Sequence, residues 1–286
     1  MKIGVSLPPD YLAGSPAAPT ARLIEERCGN AASFLAQLKA AGADSIELRK
    51  IDPDTPPQLA QEALSRVLES GLEVSIHGYL PASWEPGALE EMLPPLAGVF
   101  GELRSSRVES ILTLHSYRAE SGSLSPLVQR TTSFVGALIE ALEGASLPMR
   151  IALELNREKG QIDPSTTYDG LLRMRRELAD ERVGFCWDFG HAYRNVLAGS
   201  LPPETPAEFV ARVIHTHVHD LSASLQTHWP LSEGRVPLTT YVTALESAGY
   251  GGVYNLELSP KRYREVLDVS ETFLDGVRRL ARVPVA

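Results

Sequence analysis

Eight short apolar runs punctuate the chain, separated by segments of helical length, and this alternation constrains the fold more than any other feature. The runs are Lys2–Leu7, Ser45–Leu48, Leu72–His77, Ser110–His115, Arg150–Leu155, Val183–Asp188, Val213–His219 and Val253–Leu258. Most are β-branched or otherwise apolar, as strands covered on both faces must be. Between them lie the amphipathic stretches Ala31–Ala41, Gln58–Ser70, Ser125–Leu142, Tyr168–Ala179, Pro206–Arg212, Leu238–Ser247 and Tyr263–Leu280. Leu89–Arg104 is a weaker helix, because Pro94 and Pro95 must kink or break it. Gly42, Gly71 and Gly249 each stand a few residues ahead of a run, the usual stop after a helix. Eight strand–helix units in about 250 residues predict an α/β fold of the (β/α)8 TIM-barrel type. A doubly wound sheet fits less well, since Pro8 and Pro9 stand where its Gly-rich turn would follow the first strand. No linker, charge block or low-complexity segment divides residues 1–286, which read as a single domain. Ala13–Pro19 reads as a first loop at the active face.

Composition narrows the function classes. With 43% hydrophobic and 22% charged residues, global disorder is excluded. Lys and Arg total 27 against 36 Asp and Glu, a net charge of -9. That balance lowers the expectation of a nucleic-acid partner, whose phosphates call for a basic face. No apolar run approaches the roughly 20 residues that span a bilayer, and the N-terminal apolar stretch is too brief for a signal peptide. A cytoplasmic location without membrane association is expected, and self-association is left open. Cys28 and Cys186 cannot form a disulfide framework and are expected to be inert.

The chemistry is legible in where polar residues interrupt the runs. Glu47, His77, His115, Glu154, Asp188, His217 with His219, and Glu257 all stand at strand ends. All seven histidines, including His191, His215 and His228, fall at a strand end or in a loop that follows one. In a barrel of this kind the C-terminal strand ends carry function, and imidazoles and carboxylates gathered at one rim suit a divalent metal. Alternation gives the faces: Glu154 shares one with Ala152, Asp188 with Cys186, and His215, His217 and His219 share one inward face, while Trp187 points outward. Plainer roles compete. His215 alone reads as a hydrogen-bonded core residue. Glu154 can pair with Arg150 or Arg157, and Asp188 can cap a helix at His191. Trp84 and Trp229 can stack on a sugar ring or simply cover the rim.

These residues resemble the xylose isomerase-like TIM-barrel superfamily, which holds sugar and sugar-phosphate isomerases and epimerases, dehydratases and apurinic endonucleases of the endonuclease IV type. The likeness rests on Ser75–Tyr79, Thr113–Ser116, Ala152–Asn156, Trp187–Ala192, His217–Asp220, His228–Gly234 and Leu256–Leu258, in order along nearly the whole chain. It implies a metal held by Glu154, Asp188, His217 and Glu257. It implies further ligands or substrate contacts at His77, His115, His191 and His228. Gln226 stands where the endonuclease pattern has a loop Asp, which weighs against a third metal. No Arg follows His217 through Ser224, which weighs against the ketohexose epimerase branch.

The chemistry also fits the residues themselves. Isomerising a hydroxy-ketone removes a proton beside a carbonyl, and a divalent metal stabilises the enediolate that forms. Glu154 and Glu257 are the candidate catalytic base and acid. Three carboxylates and one imidazole favour Mn²⁺ or Mg²⁺, while added histidines shift preference toward Zn²⁺ or Co²⁺. One metal suffices, so His77 and His115 are expected to donate hydrogen bonds to substrate rather than hold a second ion. Glu47 and Arg49 complete the candidate set, and Arg49, Arg118 and Arg157 can bind a phosphate or carboxylate. The expectation is a metal-dependent enzyme, a sugar or sugar-phosphate isomerase or epimerase acting on a small carbohydrate or polyol. The alternatives are a zinc-dependent apurinic endonuclease or other phosphodiesterase, and a binding protein with a vestigial site.

Overall fold

The computed structural model describes residues 1–78, 89, 94, 110–146 and 149–284. Eight parallel strands close into a barrel in chain order, with β1 hydrogen-bonded to both β2 and β8. The strands are β1 Lys2–Leu7, β2 Ser45–Ile51, β3 Glu73–Gly78, β4 Ser110–Leu114, β5 Met149–Glu154, β6 Val183–Asp188, β7 Val213–Val218 and β8 Val253–Leu256. Their near-continuous burial follows from their position, with helices outside and a filled lumen inside. The protein is a TIM barrel, as the alternation predicts.

The outer layer confirms the outward reading of Trp187. Its indole meets Phe189 and Tyr241 at centroid distances of 5.1 and 4.8 Å, while Phe185 stacks on Phe209 at 4.9 Å. Such aromatic pairs fasten the helices to the back of β6. Helices begin where short polar side chains satisfy their free N–H groups. Asn30 caps Ala31–Ala41, Thr167 caps Tyr168–Leu178 and Asp268 caps Val269–Leu280. That last cap moves the start of the final helix from the expected Tyr263 to Val269, and a short 3₁₀ turn, Pro260–Arg262, precedes it. Two helices were not legible in advance, Pro9–Leu12 and Pro19–Cys28, and Phe189–Leu197 was foreseen only as the alternative in which Asp188 caps a helix. The expected helix Leu89–Arg104 falls, apart from Leu89 and Pro94, outside the described residues, as does Trp84. No described helix is long and apolar enough to cross a membrane.

Candidate metal centre

The lumen holds a polar floor on which the rim residues stand. Ser6 and Glu47 are in register on β1 and β2, and the Ser6 hydroxyl donates to Glu47 Oε1 at 2.6 Å. Asn255 Nδ2 on β8 reaches the same carboxylate oxygen at 3.1 Å. Gly4 makes room for this amide, since a Cβ there would stand 2.7 Å from Asn255 Oδ1. The other oxygen, Glu47 Oε2, lies 3.0 Å from Nε2 of both His215 and His217. Glu47 therefore sits beneath the rim with both oxygens occupied. Burial alone would raise its pKa, but His217 and His215 carry it far below the usual carboxylate range. His215 is held neutral, because burial outweighs the attraction of Glu47.

With Nε2 of His217 committed to Glu47, its Nδ1 faces the barrel mouth. There it lies 3.6 Å from Glu154 Oε1, 3.9 Å from Asp188 Oδ2 and 3.4 Å from Glu257 Oε2. One ligand atom from each of these four residues falls within 4.8 Å of the other three. All four side chains are buried, and among the described residues His217 Nδ1 and Glu257 Oε2 have no hydrogen-bond partner. Burial opposes the charged forms, yet Glu154 is held well below its ordinary pKa by His115 and His217, and Glu257 by Arg49, His228 and His217. Burial likewise opposes protonation of His217, but the surrounding Glu47, Glu257 and Glu154 raise it well above an ordinary histidine. Three ionised carboxylates converge on one unsatisfied imidazole nitrogen, a donor set that fits a divalent cation.

The β6–helix junction adds a second tier. Asp188 Oδ1 accepts the His191 N–H at 2.7 Å, capping Phe189–Leu197, and Oδ2 lies 3.1 Å from His191 Nδ1. The cap and the site are thus one arrangement, with His191 buried rather than solvated. His219 Nε2 lies 3.0 Å from Asp188 Oδ1. Asp188 favours a protonated His219, although burial opposes it. The His228 N–H points at His219 Nδ1 at 2.8 Å, closer than the Asp220 carbonyl at 3.1 Å. A backbone N–H can only donate, so His219 is the neutral tautomer that accepts at Nδ1 and donates Nε2–H to Asp188. His219 therefore holds Asp188, although its position among Asp188, His191 and His228 is compatible with ligation by distance alone. Gly190 permits this approach, as a Cβ there would stand 1.9 Å from His219 Cε1.

His77 and His115 lie on the other side of Glu154. Their Nε2 atoms stand 3.0 and 2.7 Å from Glu154 Oε2. His77 Nδ1 donates to the Gly78 carbonyl at 3.1 Å, which fixes the ring. Glu154 has no arginine partner here; histidines supply all its ion-pair contacts among the described residues. Arg49 instead reaches Glu257 Oε1 at 3.0 Å and the Leu258 carbonyl at 2.7 Å. His228 Nδ1 lies 3.4 Å from Glu257 Oε2, and burial pushes its pKa down to about 3, against the pull of Glu257. Gln226 is exposed, away from these contacts.

A family model described as xylose isomerase-like TIM barrel matches residues 107–278. The chain belongs to this family. Among solved structures, this xylose isomerase-like barrel is similar to a D-tagatose 3-epimerase-like protein, with a TM-score of 0.62 and 20% identity over 98% of this chain and 100% of that one. It is also similar to the IOLI protein with a bound zinc atom, with a TM-score of 0.67 and 14% identity over 98% and 96% of the two chains. These likenesses establish the fold. An uncharacterized protein of Methanocaldococcus jannaschii is 32% identical over 87 residues, covering 29% of this chain and only 28% of that relative's length.

Three supports of the site escape a sequence reading. Ser6 and Asn255 look like ordinary polar residues in apolar strands, and only barrel closure brings both to Glu47. Asp220 accepts the N–H groups of Leu221 and Val236 at 2.8 and 3.0 Å, folding back the loop that carries His228. The signal for Asp220 was its place beside His219, where an acid follows a strand end.

Proposed function

We propose that this chain is a divalent-metal-dependent isomerase or epimerase that moves a proton beside a carbonyl in a small carbohydrate or polyol. The carrying observation is the convergence of Glu154, Asp188, His217 and Glu257, with His217 Nδ1 and Glu257 Oε2 left without partners among the described residues. A buried set of three carboxylates is costly unless positive charge completes it. When bound, a divalent ion supplies polarisation of the carbonyl and of its neighbouring hydroxyl. Glu154 and Glu257 approach from strands five and eight, and both are ionised, so either can take the proton and the other return it. His77 and His115 hold Glu154 Oε2 in place through their Nε2 atoms, and His77, whose Nδ1 donates to the Gly78 carbonyl, serves to position Glu154 rather than to contact substrate. Three carboxylates with one imidazole favour Mn²⁺ or Mg²⁺, and the histidines also accommodate Zn²⁺ or Co²⁺. The likeness to an epimerase-like protein and to a zinc-containing barrel supports this reading.

The test is exchange of solvent deuterium into ketoses and aldoses by the metal-loaded protein, followed by NMR. Exchange beside the carbonyl is expected, and Glu257→Gln should keep metal while losing about 100-fold or more of the rate. An unchanged rate would remove Glu257 from the chemistry. Absence of exchange across the panel, with metal bound, would remove the reaction class.

A further inference from the structure

Strand β2 supplies none of the four residues that converge on the cation position, yet it holds two of them. Glu47 and Arg49 stand two residues apart and share its inward face. Glu47 secures His217 from below, with Oε2 3.0 Å from Nε2. Arg49 works at the rim. It crosses the end of β1, which separates β2 from β8, and its Nη2 lies 3.0 Å from Glu257 Oε1. Its Nη1 donates to the Leu258 carbonyl at 2.7 Å. One guanidinium thus grips the carboxylate of Glu257 and the main chain immediately after it. The fork is planar and rigid, so the two contacts together fix orientation as well as position. Strand pairing alone does less. The Glu257 N–H donates to the Val218 carbonyl at 3.0 Å, which sets the backbone and leaves the side chain to turn about its own bonds.

The backbone of β2 is shaped at this point. Arg49 is in register with His77 on β3, and the next pairing, Ile51 with Gly78, skips Lys50. Lys50 has a φ of 68°, a left-handed conformation that is unfavourable for a residue with a Cβ. Bulges of this kind re-aim side chains and gather beside functional sites. The turn beyond is locked, with the Asp52 N–H donating to Thr55 Oγ1 at 3.1 Å and that hydroxyl donating to Asp52 Oδ1 at 2.9 Å. The Arg49 side chain is 20% exposed and lines a cavity of about 480 Å³ with Pro8, Asp10, Thr20, Ser259 and Lys261.

The two oxygens of Glu257 therefore differ. Oε1 is bound to Arg49, whereas Oε2 lies 3.4 Å from His217 Nδ1 and has no hydrogen-bond partner among the described residues. A carboxylate with both oxygens free can chelate a cation through both, which occupies the lone pairs needed to take a proton. We infer that Arg49 is a positioning residue, which holds Glu257 Oε1 so that Oε2 alone faces the reaction centre. The consequence for proton transfer rests on the proposed reaction, and the consequence for metal binding does not. Arg49 is also a positive charge on a carboxylate that the cation shares, so it competes with the cation. Its removal should strengthen metal binding while slowing proton transfer. Loss of a contact that merely supports the fold would weaken both.

The test is Arg49→Ala, followed by Mn²⁺ titration and by solvent deuterium exchange into ketoses and aldoses. Mn²⁺ should bind about threefold or more tighter, and exchange should fall about 100-fold. Guanidinium ion at millimolar concentration, entering through the cavity beside position 49, should reverse the affinity gain and restore about tenfold of the rate. Sodium chloride at equal ionic strength should do neither. Arg49→Lys keeps the charge without the fork, so its Mn²⁺ affinity should stay near that of the unsubstituted protein while its rate falls about tenfold. Melting temperature shows whether Arg49→Ala is folded, and Arg49→Lys carries the test if it is not. Weaker or unchanged Mn²⁺ binding in Arg49→Ala overturns the inference, as does an unchanged exchange rate in either variant, and both leave the proposed reaction standing. An unsubstituted protein that binds Mn²⁺ and exchanges nothing removes the proposed reaction. Tighter Mn²⁺ binding in Arg49→Ala, reversed by guanidinium, would then still assign the hold on Glu257 to Arg49.

Discussion

His217 has two ring nitrogens and two tasks, and the division between them follows from Glu47. Nε2–H is directed to the Glu47 carboxylate at 3.0 Å, which leaves Nδ1 as the atom offered to a cation. A carboxylate behind a ligating histidine fixes its tautomer and raises its basicity, and loss of such support costs about 10–100-fold in metal affinity. Glu47→Gln should therefore weaken Mn²⁺ binding by about that factor, measured by titration, while the protein stays folded. Undiminished affinity would show that Glu47 serves only the floor of the barrel. The same contacts fix the sign of the pH dependence. The His217 pKa is raised above 6.5, so in the metal-free protein Nδ1 is protonated near neutrality, and a cation must displace that proton. The carboxylates are already ionised there, their pKa values being depressed. Metal affinity should then rise with pH through the neutral range, by up to about tenfold per unit below the His217 pKa. A flat profile would mean that Nδ1 is not the ligand. The inward parity of His217 is plain from the sequence, since the alternation His215-Thr216-His217-Val218-His219 is strict. Its pairing with Glu47 is not, because 170 residues separate them and contact exists only across the closed lumen.

The junction between β6 and Phe189–Leu197 shows how one element serves several purposes. Asp188 ends the strand, caps the helix and faces the cation position, and Gly190 in the first turn leaves the space that the His219 ring fills. Alanine is ordinarily favoured over glycine in a helix by about 1 kcal/mol. At position 190 the steric term should win, since the added carbon would overlap His219 and force apart its contact with Asp188. Gly190→Ala is thus expected to destabilise by about 1–3 kcal/mol, read from denaturant unfolding, and to weaken metal binding. A neutral or stabilising effect would place the His219 ring elsewhere. This helix was only a competing reading of the sequence, because its start coincides with the strand-ending motif Trp187-Asp188-Phe189-Gly190-His191, which reads first as a site. Pro19–Cys28 was hidden because its apolar positions, Ala21, Leu23 and Ile24, sit among charged residues in one short stretch. The strands were easier. Burial on both faces demands apolar runs, and such runs stand out wherever helices between them are amphipathic. Leu238–Ser247 and Ala31–Ala41 have the bounds expected from their periodicity. The two-face demand also explains why Glu154 and Asp188 were conspicuous, since a carboxylate in a fully buried strand needs a purpose.

At the scale of the whole molecule, charge weighs against duplex DNA. A protein that grips duplex DNA spreads phosphate contacts along a basic face, and each contact adds to the salt dependence of binding. Here the chain as a whole carries a net charge of -9. Several surface basic residues pair with acids, as Arg212 does with Glu181 and Arg278 with Glu271, which weakens them as phosphate contacts. Gln226, where the endonuclease pattern places an acid, is exposed and contributes no ligand. A duplex would press its phosphates against a molecule of net negative charge. The purified protein, loaded with Zn²⁺ or Mn²⁺, should leave an abasic duplex intact over hours at neutral pH, with any association lost by about 0.2 M salt. Denaturing gels read the first outcome and fluorescence anisotropy the second. Metal-dependent nicking of the abasic strand, abolished by Glu154→Gln, would overturn the proposed carbohydrate chemistry.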